Sequence, residues 1–117
     1  MTVQESYEKM GGDYNDAMSR LRDDARIKRF LVRVAEDQSF KNLCDNLEAR
    51  NMEEAFRAAH TLKGVSANLS ITRLCKSATA ITEALRGRTE YGPDIEPLLE
   101  KVKEDHALTI ECIKSIE

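Results

Sequence analysis

The most reactive combination of side chains in this sequence lies around His60. Lys63 follows three residues later and Gly64 four residues later, so a helix would place all three on one face. An imidazole nitrogen can attack phosphorus and hold the phosphoryl group, and a nearby cation offsets the charge on its oxygens. Glycine inside a helix costs about 1 kcal/mol relative to alanine, which indicates that something must come close to the imidazole. The pattern therefore predicts a docking and phosphorylation site.

Further residues extend this predicted site along the same helix. Ala67 shares the face and, like Gly64, removes bulk beside the ring, so we expect both residues to give a partner access to His60. Two other interpretations stay open: Gly64 allows close packing between helices, or Lys63 is only a solubilising residue. We also predict that the partner contacts a set of residues that precede His60 on the helix: Met52, Phe56 and Arg57.

Other candidate sites are weaker. His106 lies near the apolar positions of the last predicted helix and no Lys-Gly pair follows it, so we interpret it as a core or boundary residue. The three cysteines are far apart in sequence, which favours reduced core residues over zinc or dithiol chemistry. We therefore expect no metal and no cofactor. A basic cluster is interpreted as a solvated face or as an attraction for an acidic partner surface: Arg20, Arg22, Arg26, Lys28, Arg29 and Arg33.

The composition bounds the class of protein. The 117 residues suffice for one domain, and 41% hydrophobic with 33% charged residues is typical of an ordinary soluble protein. A net charge of -3 and an aromatic content of 5% argue against a nucleic-acid binder. We find neither a signal peptide nor a membrane-spanning run, so we expect a cytoplasmic protein.

Helical spacing of apolar residues runs through the whole chain, and no segment alternates as a strand does. Residues 1–24 contain two short helices separated by Gly11 and Gly12, with Asp13 as the cap of the second. We interpret these residues as a helical extension packed on a four-helix bundle of residues 25–117. The first principal helix begins at Asp23 or Asp24 and is either one long helix or two in line, divided near residues 37–39.

The second half of the chain predicts three more helices. Asn51, followed three residues later by Glu54, is typical of a capping box, so a helix should begin at Met52. Thr72 is predicted to cap the next helix, and the last helix begins around Asp94. Four principal amphipathic helices with short connections predict an all-α, antiparallel four-helix bundle with short additional N-terminal helices.

The segment from Ala58 to Leu69 resembles the signature of histidine-containing phosphotransfer (HPt) domains, the four-helix carriers of phosphorelays. That signature is His, any residue, an aliphatic residue, Lys, Gly, then small residues and a Leu. Similarity extends more weakly over residues 25–116. Ser70 stands where the family usually has glycine, and Val65 where a small residue is common. The chain supplies the signature in order: His60, Leu62, Lys63, Gly64, Ser66, Ala67 and Leu69.

The resemblance implies that His60 accepts a phosphoryl group from the phospho-aspartate of a receiver domain and passes it on. Lys63 would stabilise the charge, and the receiver, in a response regulator or hybrid histidine kinase, would supply the magnesium. The domain itself would be a phosphocarrier without kinase activity. We also expect a monomer that binds neither nucleic acid nor membrane.

Two rival interpretations stay open. In the first, the protein is a non-phosphorylated helical adaptor that binds a signalling partner, and His60 is only a contact. In the second, an enzyme uses His60 as a general base together with Lys63. The second interpretation is weakened because no further acid, nucleophile or pocket-forming loop is predicted nearby.

Overall fold

Seven α-helices and no strands make up the computed structural model, which describes all residues from 1 to 117. The prediction of an all-α protein is confirmed. None of the helices combines the length and apolar character that crossing a membrane requires. In chain order the helices are α1 Val3–Met10, α2 Tyr14–Leu21, α3 Asp24–Glu36, α4 Ser39–Glu48, α5 Met52–Asn68, α6 Thr72–Leu85 and α7 Ile95–Lys114.

Four rods form the bundle: α3 with α4, then α5, α6 and α7. Helix α5 packs between α4 and α6, while α7 packs against α6, α3 and α1. α3 and α4 are separate helices, because Asp37 has extended backbone angles (φ −66°, ψ 137°) that end α3. Short turns join α4 to α5 and α5 to α6, and a nine-residue loop of residues 86–94 joins α6 to α7, so neighbouring rods run antiparallel. The predicted four-helix bundle with additional N-terminal helices is confirmed.

The N-termini of α5 and α6 are capped differently. Asn51 caps α5 as predicted, because its side chain accepts a hydrogen bond from the Glu54 N–H at 3.2 Å. The reciprocal bond of a capping box is replaced by an ion pair between Glu54 and Arg57 at 3.0 Å. The prediction that Thr72 caps α6 is wrong: Thr72 is the first helical residue, and no side chain caps this helix. Its hydroxyl bonds back to the Ser70 carbonyl instead, at 3.4 Å.

α1 and the turn after it pack against the turn between α5 and α6. Tyr7 and Met10 are fully buried and belong to the same hydrophobic core as the four rods. The Gly11 carbonyl accepts a hydrogen bond from the Arg73 N–H at 3.1 Å. Gly11 has a φ of +73°, and a Cβ on it would lie only 2.9 Å from the Arg73 Cβ, so glycine is required here. The boundary at residue 24 between extension and bundle stays a prediction.

Ser70 adopts a backbone conformation that usually needs glycine, with a φ of 56°. Its hydroxyl donates to the Asp16 carboxylate and accepts from the Arg20 guanidinium, and its carbonyl accepts from the Asp13 N–H at 2.8 Å. Arg20 also donates to the Asn68 carbonyl at 2.7 Å. The serine that departs from the family signature therefore connects α2 to the C-terminal end of α5.

Candidate functional site

His60 projects from α5 into solvent. It follows Ala59, which is 0% exposed, and one residue along a helix turns the side-chain direction by about 100°. This rotation carries the imidazole out of the core line, and His60 is exposed. Its aromatic neighbour is Phe56 on the preceding turn, with ring centroids 6.1 Å apart and ring planes inclined at 43°. The imidazole is therefore open to a partner on its solvent side.

Gly64 leaves a gap that no part of the protein fills. A Cβ built on this residue would meet no atom within 4 Å beyond its own neighbourhood. Packing between helices therefore does not require glycine here, and the packing interpretation of Gly64 is wrong. Ala67, three residues further along α5, is also exposed. The space that these small residues open lies in solvent, beside His60.

Lys63 lies one turn after His60 on α5, and its side chain is half-buried. Its ammonium group takes part in none of the ion pairs of the structure, whereas Arg57 is paired with both Glu53 and Glu54 at 3.0 Å. Cys75 of α6 lies against the backbone of the same residue, with its Sγ 3.9 Å from the Lys63 carbonyl oxygen. The Lys63 ammonium is therefore free to interact with an anion on the His60 face.

Met52 does not belong to this surface. The residue is 2% exposed and lies in the hydrophobic core, so the prediction that Met52 contacts a partner is wrong. Helix geometry supplies the reason: eight residues before His60, its side-chain direction falls within about 20° of that of Ala59. The other two residues predicted to contact a partner are at the surface, Phe56 half-buried and Arg57 exposed.

Helix α6 and the residue that follows it contribute two groups that sequence reasoning missed. The Arg86 guanidinium carbon lies 5.2 Å from the centroid of the Phe56 ring. Arg86 also forms an ion pair with Glu83 at 2.9 Å. This guanidinium lowers the pKa of the Glu83 carboxyl, and Lys63 and His60 act in the same direction through their charges. The i, i+3 spacing of Glu83 and Arg86 indicates a pair, but only the packing of α6 on α5 places it near His60.

A groove on the other flank of α5 lies between α2, α3 and the C-terminal half of α5. Val65, the second departure from the family signature, lines this groove and faces away from His60. Arg33 covers the Phe30 ring, with its guanidinium carbon 5.0 Å from the ring centroid. Arg20 is held by its bonds to α5 and to the turn after it. The groove is lined by Arg20, Leu21, Phe30, Arg33, Val34, Asp37, Val65, Asn68 and Leu69.

His106 lies in a different environment from His60. Its ring stacks on Phe40 of α4, with centroids 3.9 Å apart and planes inclined at 10°. Burial lowers the pKa of His106, and the Asp37 carboxylate opposes that shift. This arrangement agrees with a boundary residue. Elsewhere in the structure, no group of three or more His, Cys, Asp or Glu side chains could hold a metal ion.

The fold and the site define an antiparallel helical bundle that presents one histidine on its surface, beside a lysine that forms no ion pair. The chain belongs to the Hpt domain family, whose model matches residues 27–112. The resemblance in the sequence is thereby confirmed, and the match extends from α3 to α7. Membership of this family implies histidine phosphotransfer in phosphorelays. Neither the curated proteins nor the solved structures contain a match to this chain.

Proposed function

We propose that this protein is a phosphorelay carrier in which His60 reversibly accepts a phosphoryl group from the phospho-aspartate of a receiver domain. The observation that carries the proposal is the pairing of an exposed imidazole with a glycine whose missing side chain opens only onto solvent. Such a gap has no use inside the bundle, since no neighbouring atom occupies it. It suits a partner whose active-site cleft closes over His60.

The transfer step requires little from the carrier besides access and charge. The imidazole nitrogen that bears a lone pair attacks phosphorus, and a nitrogen–phosphorus bond forms while the phosphorus–oxygen bond of the acyl phosphate breaks. The aspartate carboxylate leaves with the bonding electrons, and the proton on the other ring nitrogen passes to solvent. Lys63 offsets charge on the phosphoryl oxygens during transfer. The reverse reaction with a second receiver passes the group on.

The partner in this proposal is the receiver domain of a response regulator or hybrid histidine kinase. Phe56 and Arg57 would contact it next to His60, while Gly64 and Ala67 give it access to the ring. Magnesium would be bound by the acidic pocket of the receiver, and the carrier itself would have no kinase activity. We further propose that the carrier acts as a monomer in the cytoplasm.

Phosphotransfer from a receiver domain tests the proposal. Wild-type protein incubated with a receiver carrying radioactive phosphate should acquire a label that is labile to acid and stable to alkali. His60→Gln should abolish the label. His106→Gln is the matched control, since it removes the other histidine of the chain and should leave labelling intact. A label that survives in His60→Gln contradicts the proposal, and a stable receiver complex without any label supports the adaptor instead.

A further inference from the structure

The His60 face carries a second charged element, contributed by α6 and the residue that follows it. We propose that Glu83 and Arg86 together set how strongly His60 retains a phosphoryl group: Arg86 exchanges Glu83 for the phosphoryl oxygens, and the Glu83 carboxylate opposes retention. This inference rests on the proposed function of His60 and adds a specific role for two residues outside the family signature.

The geometry places Arg86 beside the acceptor through one shared neighbour. The Phe56 ring lies one turn before His60 on α5, with its centroid 6.1 Å from the imidazole centroid. The Arg86 guanidinium carbon lies over the same ring, 5.2 Å from its centroid. A guanidinium that rests on an aromatic face keeps its donors directed outward along the surface. Phe56 therefore holds a cation at the edge of the His60 site.

The ion pair of Arg86 is suited to exchange its partner. Both side chains are more than half exposed, 56% for Arg86 and 55% for Glu83. Exposed ion pairs contribute little to stability, because water competes for both charges. A phosphoryl group offers close to two negative charges and several acceptor oxygens, so it is a stronger partner for a guanidinium than one carboxylate. Arg57 is less available, because two carboxylates already hold it at 3.0 Å.

Glu83 acts in the opposite sense to Arg86. Its carboxylate lies 2.9 Å from the Arg86 guanidinium, which packs on the Phe56 ring beside His60. Arg86 lowers the pKa of this carboxyl, and the charges of Lys63 and His60 act in the same direction. A negative phosphoryl group on His60 would therefore be repelled by Glu83 and would compete with it for nearby cations. The two residues would bias the transfer equilibrium in opposite directions, and each bias becomes visible when one charge is removed.

The test compares three variants of the full chain: Glu83→Gln, Arg86→Gln and the control Glu100→Gln. Glu100 also belongs to an i, i+3 ion pair, with Lys103 at 3.6 Å. It lies on α7, which packs against α6, α3 and α1 rather than against the His60 helix α5. His60 phosphorylation is first established with phosphoramidate as donor. The equilibrium constant for transfer between the carrier and one phosphorylated receiver is then measured for each variant. An equilibrium constant, unlike a rate, does not depend on how well a variant docks.

We expect Glu83→Gln to raise the phosphorylated fraction of carrier at equilibrium by about two- to fivefold and Arg86→Gln to lower it by a similar factor. Glu100→Gln should match wild type. Both changes should shrink in 1 M salt, where the Debye length is about 3 Å. If both variants match wild type while His60 is labelled, the inference is overturned and the proposed function stands. If wild type takes no label from either donor, both are overturned.

Discussion

The Tyr7 hydroxyl donates a hydrogen bond to the Leu69 carbonyl at 2.7 Å, which connects α1 to the residue that ends the His60 helix. Tyr7 is fully buried, and burial raises the pKa of its phenol well above the ordinary value. The Leu69 carbonyl lies beyond the last residue of α5 and needs a donor from outside that helix. The N-terminal helix α1 therefore contributes directly to how the phosphoacceptor helix ends.

Removing this hydroxyl should destabilise the fold. Tyr7→Phe keeps the ring in the core but leaves the Leu69 carbonyl without its donor, so we expect a loss of about 1 to 3 kcal/mol in the free energy of unfolding. Urea denaturation followed by circular dichroism measures it. Tyr14→Phe is the control, since that hydroxyl bonds at the surface to Asp24, and its loss should be smaller. Equal losses in the two variants would contradict the prediction.

Gly64 should separate stability from function. Gly64→Ala places a methyl group where no atom lies within 4 Å, so helix propensity alone acts and the protein should become about 1 kcal/mol more stable. The same methyl group narrows access to His60, and the rate of transfer from a receiver should fall about tenfold. Thermal unfolding and a phosphotransfer time course measure the two effects.

The matched control for this variant is Gly11→Ala. Gly11 has a φ of +73° and a neighbouring side chain at 2.9 Å from the position of a Cβ, so this change should destabilise the protein. An unchanged transfer rate in Gly64→Ala would show that the gap is not used by the partner. Destabilisation by Gly64→Ala would show that the residue has a structural role after all.

His106 should make stability depend on pH. Burial beside Phe40 lowers its pKa in the folded protein, so the unfolded chain binds a proton there more readily. The contribution of His106 is fully present above about pH 6.5 and is lost as the pH falls toward the folded-state pKa. The free energy of unfolding, measured from pH 8 to pH 5, should fall less in His106→Leu than in wild type. Identical pH profiles would contradict the assignment.

The buried carboxylate of Asp105 should depend on Arg73. Asp105 is 1% exposed, and its Oδ1 accepts hydrogen bonds from Arg73 Nε at 2.7 Å and Lys101 Nζ at 3.2 Å. Arg73→Gln removes the shorter bond and leaves the buried carboxylate with only Lys101. We expect this change to lower the free energy of unfolding by about 2 kcal/mol. Arg86→Gln, which breaks an exposed pair, is the control and should leave the melting temperature unchanged. Similar losses in both variants would contradict the prediction.

Local sequence determined the helix that carries the site and the face on which the site lies. Asn51 caps α5, and the helix begins at Met52 as predicted. His60, Lys63 and Gly64 share one face because side-chain direction along a helix follows the residue spacing, whatever the rest of the chain does. The break between α1 and α2 at Gly11 was predicted for the same reason, since its backbone requirement is local.

Tertiary packing decided which atoms around that face are exposed and which helix stands beside it. The spacing of Met52 from Ala59 already places it on the core side of α5, whereas the gap at Gly64 opens onto solvent only because no neighbouring helix covers it. Glu83 comes near His60 only when α6 packs on α5, and Ser70 acquires its bond to Asp16 only when α2 takes its place. The rotation and position of one helix against another depend on side chains far apart in sequence, so periodicity within a single helix does not contain that information.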